Sequence, residues 1–268
     1  MSRLLAVLGK DVSASLSPKL HTSASLACDL GVVYTALNCP SASDFVEMIR
    51  ALQVLKARGC NVTIPYKTNA FSLADEHSPA SKALGVANTL TFEHGKIYAD
   101  NTDGEGLQRV IQGLDASCLD RVQILGAGGA ARAAAWAVHS LGAKEIFVSA
   151  RSKADLVADM VDGTARPLEA VPAPSLVISS LPKDSALAST ALRDWIDVQT
   201  TPRILDLAYG TLEELSPLAS QARAMGLRAE DGRGMLVEQA ALSLVRWVGG
   251  QVSEKIRNSM WEALGSRV

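Results

Sequence analysis

The chain has 268 residues, of which 48% are hydrophobic and 20% charged, and its formal net charge is −2. This length and composition suffice for a buried core in one large domain or two smaller ones. The residue order contains no clustered basic face, which argues against nucleic-acid binding, and no run of ~18 apolar residues that would predict a membrane span.

The cysteines and histidines are too scattered to predict a disulfide framework or a metal site. The chain has four cysteines without a Cys-x-x-Cys pair and four histidines without zinc-like spacing. The N-terminus, MSRLLAVLGKD, carries an apolar run too short for a signal sequence. We therefore expect a cytoplasmic protein without a structural metal, and with no nucleic-acid or membrane partner.

The first hundred residues alternate strand-like and helix-like runs. Short buried strands are predicted by LLAVLG and VVYTALN, and helices by KLHTSASLACDLG, which ends at Gly31, and SASDFVEMIRALQVLKARG, which ends at Gly59. Further on, the run ANTLTFEHGKIYADN predicts a hairpin that turns at Glu93, His94 and Gly95. Such alternation is typical of the α/β class.

The run NVTIPYK predicts another short strand with an unusually polar face. Its apolar residues alternate with polar ones, so period-2 geometry puts Asn61, Thr63 and Lys67 on one side. Pro65 lacks the backbone donor of a sheet ladder, so strand pairing is expected to stop there or to run along an edge.

The sequence pattern changes after Asn101, and a domain boundary is expected between Asn101 and Arg121. A strand, a glycine turn, an Ala-rich helix and a second strand are predicted by RVQILGAGGAARAAAWAVHSLGAKEIFVSARS. Two more buried strands follow in SLVISSLP and RILDLAYG, with a helix-compatible stretch after the second. The chain closes with two helices, predicted by GRGMLVEQAALSLVRWVGG and SEKIRNSMWEAL.

The glycine turn fits the dinucleotide-binding pattern G-x-G-x-x-G/A. Gly126 would allow the tight turn, Gly128 would let a pyrophosphate approach the backbone at the helix N-terminus, and Ala131 would allow close helix–strand packing. A tight turn without a ligand is the alternative, and the strand–turn–helix context favours nucleotide binding.

The end of the following strand favours NADP over NAD. NAD-binding versions carry Asp or Glu there, whereas this chain has Ala150 and then Arg151, Ser152 and Lys153. Arginine can bind a 2′-phosphate with a forked pair of hydrogen bonds, which a carboxylate would repel. The alternative is a capping box between Ser152 and Asp155, with Arg151 in solvent.

Three further polar groups stand out near predicted strand ends. Ser15 and Ser17 are separated by one residue in an extended loop and suit a carboxylate, although a plain helix N-cap explains them as well. Asn88 lies in the run VANTL, and Asp103 lies in NTDG, where it could simply cap the next helix. Taken alone, none of these groups indicates a substrate.

Together, these motifs resemble those of the shikimate dehydrogenase family. The resemblance covers nearly the whole chain in the family's order, through SLSP, NVTIPYK, ANTL, NTDGEG, GAGGAAR, SARS, LDLAY and GMLVEQA. It implies a two-domain α/β protein that reduces 3-dehydroshikimate to shikimate with NADPH, on the route to chorismate and the aromatic amino acids. The substrate domain would be residues 1–103 completed by 237–268, and the Rossmann-like NADP domain would be residues 104–236, with the C-terminal helices returning to the first domain.

The resemblance also implies roles for individual residues. Lys67 and Asp103 match the paired catalytic residues. Substrate contacts are implied for Ser15, Ser17, Thr63, Asn88, Tyr209 and Gln239. NADP contacts are implied for Gly126, Ala127, Gly128, Gly129, Ala130, Arg151, Ser152, Lys153, Gly232 and Met235. Gln239 has an alternative, because Ser243 and Arg246 at i+4 and i+7 could form a solvent-facing stripe with it.

Several positions depart from the family pattern and keep other functions open. Ala14 and Thr22 replace a usual His and Asn, Thr211 replaces a usual proline, and SARS lacks the Asn of Asn-Arg-Thr. One alternative is a paralogue that acts on quinate or an aminated analogue. Another is a non-catalytic NADP-binding sensor, which would not need to keep both Lys67 and Asp103. A monomer or a homodimer is expected.

Overall fold

The computed structural model describes residues 3–167, 173–183, 185, 201–210, 212 and 214–265. The chain separates into two compact units, one formed by Met1–Asp103 with Val237–Arg267 and the other by Gly104–Leu236. Across the described ranges, no helix is long and apolar enough to cross a membrane.

The first unit contains a six-stranded mixed sheet. Its strands are β1 (Arg3–Gly9), β2 (Val32–Asn38), β3 (Gly59–Val62), β4 (Glu76–His77), β5 (Thr89–Glu93) and β6 (Lys96–Asp100), in the order β2-β1-β3-β5-β6-β4. Leu5 on β1 lies opposite Tyr34 on β2 and Gly59 on β3, in parallel pairs. The pairs β3–β5 and β5–β6 are antiparallel, and the predicted hairpin between β5 and β6 is confirmed.

Four helices follow strands in this unit, and a fifth leads out of it. They are α1 (Ser17–Cys28), α2 (Ala42–Val54), α3 (Lys67–Leu73), α4 (Pro79–Leu84) and α5 (Thr102–Gln112). The prediction that the second helix reaches Gly59 is wrong, since α2 ends at Val54 and Lys56 takes a left-handed conformation with φ 55°. Similarly, α1 ends before Asp29, whose φ of 51° closes the helix, and not at Gly31.

The predicted strand NVTIPYK is largely wrong, because β3 ends at Val62. The Thr63 N–H donates to the Leu8 carbonyl. The chain then turns, and the Tyr66 N–H donates to the Thr63 carbonyl at 3.0 Å. Ile64 is 77% exposed instead of facing the core, and Lys67 is the first residue of α3. Pairing therefore stops before Pro65, and the polar residues of this run do not share one strand face.

The second unit is a parallel sheet with the strand order of a doubly wound dinucleotide-binding fold. Its strands are β7 (Arg121–Leu125), β8 (Glu145–Ser149), β9 (Thr164–Ala165), β10 (Leu176–Ser179), β11 (Arg203–Asp206) and β12 (Ala229–Glu230), in the order β12-β11-β10-β7-β8-β9. Among the described residues every strand pair in it is parallel, as in Val122 opposite Ile146 and Leu176. The order reverses between β7 and β10, where such sheets bind nucleotides.

In the part of the second unit that the structure describes, helices cover both faces of the sheet. Among them are α6 (Gly129–Ser140), α7 (Ala154–Ala158) and α8 (Pro217–Ala224). On one face, Ala131, Ala134 and Val138 of α6 pack against Val122 and Ile124 of β7. The small alanine side chains let this helix lie close to the strands, which confirms the predicted strand–turn–helix unit. Leu218 and Ala222 of α8 pack on the other face.

The two C-terminal helices are α9 (Arg233–Val248) and α10 (Glu254–Ala263). The first begins in the second unit and belongs to the first unit from Val237 onward. Trp247 near its end is buried and donates from its indole nitrogen to the Leu90 carbonyl at 3.0 Å, while Arg58 donates to the Trp247 carbonyl. These bonds fix the end of α9 to β5 and to the residue before β3.

Aromatic rings fill the space between α1, β2 and α9. The His21 ring stacks on Tyr34 at 4.1 Å between centroids, and both lie close to Trp247. His21 is fully buried, and this burial lowers the pKa of its imidazole to about 3. The neutral ring is therefore the form that the folded protein holds.

The absence of a side chain at Gly59 is required by its surroundings. A methyl group there would lie inside van der Waals contact with both the Leu90 carbonyl and the Trp247 indole. We expect Gly59→Ala to lower the free energy of unfolding by about 1–3 kcal/mol, measured by urea unfolding followed by circular dichroism. Gly234→Ala is the control, because its methyl would make an ordinary 3.5 Å contact with Val110. A Gly59→Ala protein as stable as the parent would contradict this packing.

The buried neutral His21 predicts a specific loss of stability in acid. As pH falls, the unfolded chain gains a proton near 6.5, whereas the folded chain resists until about 3. The free energy of unfolding should therefore fall by about 2 kcal/mol between pH 8 and pH 5 through this group. His21→Phe keeps a ring against Tyr34 and should lack this loss in urea titrations at the two pH values. His94→Asn, at an exposed turn, is the control, and an equal loss in His21→Phe would refute the assignment.

Candidate functional site

The predicted polar residues of the first unit surround one edge of its sheet. Asn61 on β3 lies opposite Thr89 on β5, which in turn lies opposite Asp100 on β6. Because these neighbours are antiparallel, the ends of β3 and β6 and the start of β5 share that edge. The segments that hold Lys67, Asn88 and Asp103 all adjoin this row of residues, although they are distant in sequence.

Lys67 and Asp103 form an ion pair at this edge. Lys67 Nζ lies 2.6 Å from Asp103 Oδ2, and the two side chains are only 19% and 10% exposed. The alternative that Asp103 merely caps its own helix is wrong, because Asn101 does so by accepting from the Asp103 N–H at 3.1 Å. The Asp103 carboxylate is thus directed to Lys67 and to Asn88.

The amide of Asn88 is fixed in one orientation. Its Oδ1 accepts from the Thr102 N–H at 2.8 Å and from the Thr89 hydroxyl at 2.9 Å. Because a backbone N–H can only donate, Nδ2 must be the group that faces Asp103 Oδ1, at 2.8 Å. Both carboxylate oxygens of Asp103 therefore act as acceptors, one for Lys67 and one for Asn88.

Gln239 belongs to the same group and not to a solvent-facing stripe. It is 9% exposed, and its Oε1 lies 3.5 Å from Asn88 Nδ2. Ser243, one turn further along α9, is fully buried. The alternative interpretation of this helix face is therefore wrong, and α9 presents these polar side chains to the interior of the first unit.

The serine pair and Thr63 lie at the same edge of the sheet, next to other strand ends. Ser15 and Ser17 follow β1, which is parallel to β3, and the Ser15 hydroxyl accepts from the Ser17 N–H at 3.3 Å. The residue that caps α1 is Leu16, so the plain serine N-cap is wrong. Thr63 is half-buried in the turn between β3 and α3.

Sequence reasoning missed a buried polar group beneath this edge. The Tyr34 hydroxyl donates to Asn61 Oδ1 at 2.7 Å, and Asn61 Nδ2 donates to Ser243 at 3.0 Å. Burial raises the pKa of Tyr34 well above its usual range. The signal available in the sequence was an Asn and a Tyr within otherwise apolar strands, where buried polar groups require partners.

In the second unit, the glycine turn has the geometry that a pyrophosphate requires. Gly126 has φ 111°, and a side chain there would collide with the Ser180 hydroxyl. Gly128 is exposed at the start of α6, with open space where a Cβ would be. Gly129 and Ala130 open this twelve-residue helix, so its free N–H groups surround the open position, and Ala127 completes the turn.

The cationic residues follow at the end of the neighbouring strand. Arg151, Ser152 and Lys153 are exposed just after β8. The alternative capping box is wrong, because Lys153, with φ 62°, is the residue that precedes α7, so Ser152 lies too early to cap it. Glu145 lies at the opposite end of β8, where it pairs with Arg121 at 2.9 Å.

Three other predicted positions also lie in the second unit. Gly232 donates its N–H to the Ala208 carbonyl, and its lack of a side chain allows close approach to Leu207. Met235 lies in the first turn of α9 and packs with the core of this unit. Tyr209 follows β11, and burial raises the pKa of its phenol. Thr211 lies outside the described residues.

Comparisons with known proteins give a consistent result. The family model described as the shikimate dehydrogenase substrate binding domain matches residues 7–90. A shikimate dehydrogenase (NADP(+)) of Xanthomonas euvesicatoria pv. vesicatoria is 36% identical over 259 residues, which cover 91% of this chain and 90% of that protein.

Solved structures agree with the sequence comparison. A shikimate 5-dehydrogenase of Thermus thermophilus, in complex with NADP(H) and shikimate, is 28% identical with a TM-score of 0.82, covering 97% of this chain and 99% of that one. A 5-ketofructose reductase of a Gluconobacter strain has a TM-score of 0.83 at 21% identity, covering 99% and 98%, and shares the fold alone. The chain belongs to the shikimate dehydrogenase family.

Proposed function

We propose that the protein is an NADP-dependent shikimate dehydrogenase, which reversibly reduces 3-dehydroshikimate to shikimate on the route to chorismate and the aromatic amino acids. The observation that carries this proposal is the ion pair between Lys67 and Asp103, held with Asn88 at one sheet edge. This pair places an ammonium next to a carboxylate, and both are largely shielded from solvent. Such a pair suits a reaction in which negative charge develops on a carbonyl oxygen.

The substrate of this reaction is a small ring that bears one carboxylate and several hydroxyls. In this proposal the hydroxyls of Ser15 and Ser17 bind the carboxylate. The ring hydroxyls are bound by Thr63, Asn88 and Gln239, and Tyr209 faces the substrate. Gln239 Oε1 lies 3.5 Å from Asn88 Nδ2, so the two amides are neighbours, which supports a shared polar ligand.

NADPH, when bound, supplies the hydride that reaches the carbonyl carbon of 3-dehydroshikimate. As negative charge grows on the carbonyl oxygen, the Lys67 ammonium stabilises it, and Lys67 or a water delivers the proton. Asp103 orients Lys67 through the 2.6 Å contact and shares its protons. In the oxidation of shikimate, the same pair receives the proton that leaves the hydroxyl.

The second unit would hold the cofactor. Its pyrophosphate fits the turn from Gly126 to Ala130, where the backbone leaves open space above Gly128. Arg151, Ser152 and Lys153 would bind the 2′-phosphate, since cations and a hydroxyl suit it and Ala150 offers no carboxylate to a ribose. Gly232 and Met235 would line the nicotinamide.

The cellular setting is part of the same proposal. The four cysteines are free thiols, three of them buried, which suits the reducing cytoplasm. The ligands are small molecules, and the protein works as a monomer or a homodimer.

The first experiment follows absorbance at 340 nm with shikimate or quinate and NADP⁺ or NAD⁺. We expect shikimate with NADP⁺ to give the highest kcat/KM, because the site offers cations for a 2′-phosphate and a hydroxyl-rich edge for the ring. A preference for quinate would indicate the paralogue. Binding of NADP⁺ without turnover of either acid would indicate a non-catalytic sensor and would refute the proposal.

The second experiment replaces the ammonium. Lys67→Ala removes the charge that stabilises the developing oxyanion, so kcat for shikimate should fall by about 10²- to 10⁴-fold. The affinity for NADPH should stay near that of the parent, measured by fluorescence titration. Lys96→Ala removes an exposed lysine that pairs with Glu76, and it serves as the control for loss of an ion pair. Turnover within threefold of the parent in Lys67→Ala would show that this role is wrong.

A further inference from the structure

Three hydroxyl groups meet directly beneath the ion pair. Ser243 Oγ lies 3.0 Å from Thr89 Oγ1 and 3.0 Å from Thr102 Oγ1, and the two threonine oxygens are 3.3 Å apart. We call these three side chains the hydroxyl cluster. Each member comes from a different element, namely β5, α5 and α9, and each is fully buried.

A buried cluster of this kind is stable only if each donor has an acceptor. A buried hydroxyl or amide without a hydrogen-bond partner lowers the free energy of unfolding. One assignment satisfies the whole group. Ser243 donates to the Gln239 carbonyl at 2.9 Å, and Thr89 donates to Asn88 Oδ1 at 2.9 Å. The Thr102 hydroxyl can then donate to Ser243, which leaves Ser243 as the acceptor of the cluster.

The same assignment makes Ser243 the junction of two chains of hydrogen bonds. One chain runs from the Tyr34 hydroxyl to Asn61 and from Asn61 Nδ2 to Ser243. The other runs from Asn88 Nδ2 to the Thr102 hydroxyl and from that hydroxyl to Ser243. Ser243 is the residue in which α9 joins both chains, and it lies one turn from Gln239.

The second chain ends on the reacting groups. Thr89 and the Thr102 backbone hold Asn88 Oδ1, while the Thr102 hydroxyl accepts from Asn88 Nδ2 at 3.1 Å. The remaining N–H of that amide is thereby directed to Asp103 Oδ1. Asp103 in turn holds Lys67 through its other oxygen. The orientation of the ion pair thus depends on the hydroxyl cluster.

We propose that Ser243 is a positioning residue, which sets the Asn88 amide through Thr102 and so holds Asp103 and Lys67 in the reactive arrangement. This inference rests on the proposed dehydrogenase function. In this inference Ser243 makes no contact with substrate or cofactor. Replacement of Ser243 should therefore change the turnover of shikimate and not the binding of NADP⁺.

Removal of the hydroxyl has a definite consequence. In Ser243→Ala the Thr102 hydroxyl loses its acceptor, and Asn88 Oδ1 and the Thr89 hydroxyl, each 3.3 Å away, are the replacements. A shift to Asn88 Oδ1 would compete with Thr89 for Asn88 and free the amide to tilt away from Asp103. One misplaced hydrogen bond corresponds to a fall of about threefold to tenfold in kcat for shikimate, with KM for NADP⁺ within twofold of the parent.

A double-mutant cycle tests whether Ser243 acts through Asn88. Ser243→Ala, Asn88→Ala and the double variant are compared in kcat for shikimate at saturating NADP⁺. If the inference is correct, Ser243→Ala costs less than twofold once Asn88 is absent. The same threefold to tenfold loss in both backgrounds would overturn it. If Asn88→Ala turns over too slowly for steady-state assays, the cycle is measured as single-turnover rates with enzyme in excess of shikimate, with the same two criteria.

Two controls separate positioning from a general packing defect. Ser259 on α10 is also buried and donates to the Ile256 carbonyl, away from the cluster, so Ser259→Ala should keep the parental kcat. Ser243→Cys restores most of the volume but accepts hydrogen bonds poorly, so it should resemble Ser243→Ala. If the parent oxidises shikimate and Ser243→Ala keeps the parental kcat, the inference about Ser243 is overturned and the proposed function is not. An inactive parent would instead refute the proposed function.

Discussion

The pairing of Lys67 with Asp103 is the constraint on which the site depends. A lysine or a carboxylate that is largely withdrawn from water is costly unless a partner compensates it, and removal of one member leaves the other uncompensated. Here Asp103 supplies this compensation to Lys67, and its second oxygen accepts from Asn88. These hydrogen bonds therefore fix the position of the pair, and the Lys67 ammonium is already oriented before a ligand binds. Such orientation before the reaction is what electrostatic catalysis requires.

Sheet topology explains how residues so distant in sequence come together. Two antiparallel pairings, β3 with β5 and β5 with β6, bring two strand ends and one strand start to a single edge. Lys67, Asn88 and Asp103 adjoin those three points. The long helix α9 then adds Gln239 and Ser243 from the end of the chain, anchored by the bond from Trp247 to Leu90. In the second unit, parallel strands bring the glycine turn and Arg151 to the carboxyl edge in the same way.

Most strands and the glycine turn could be predicted from the sequence, because apolar runs and Gly/Ala patterns depend on local geometry. The run NVTIPYK shows where this fails, since its apolar alternation suggested a strand, while a turn at Thr63 and the start of α3 at Lys67 prevailed. The candidate catalytic residues were predicted through the family's motifs and not from periodicity. The residues that orient them, Thr89, Thr102 and Ser243, could not be predicted, because a buried hydroxyl is recognisable only when its partners from other elements are known.

A crystal structure of the complex with shikimate and NADP⁺ tests the central claim most directly. The account predicts that Lys67 Nζ and an oxygen of Asp103 both lie within about 3.2 Å of the ring hydroxyl that is oxidised, with Asn88 still bonded to Asp103. A ring bound elsewhere, or a complex in which Lys67 and Asp103 have separated and neither touches that hydroxyl, would contradict it.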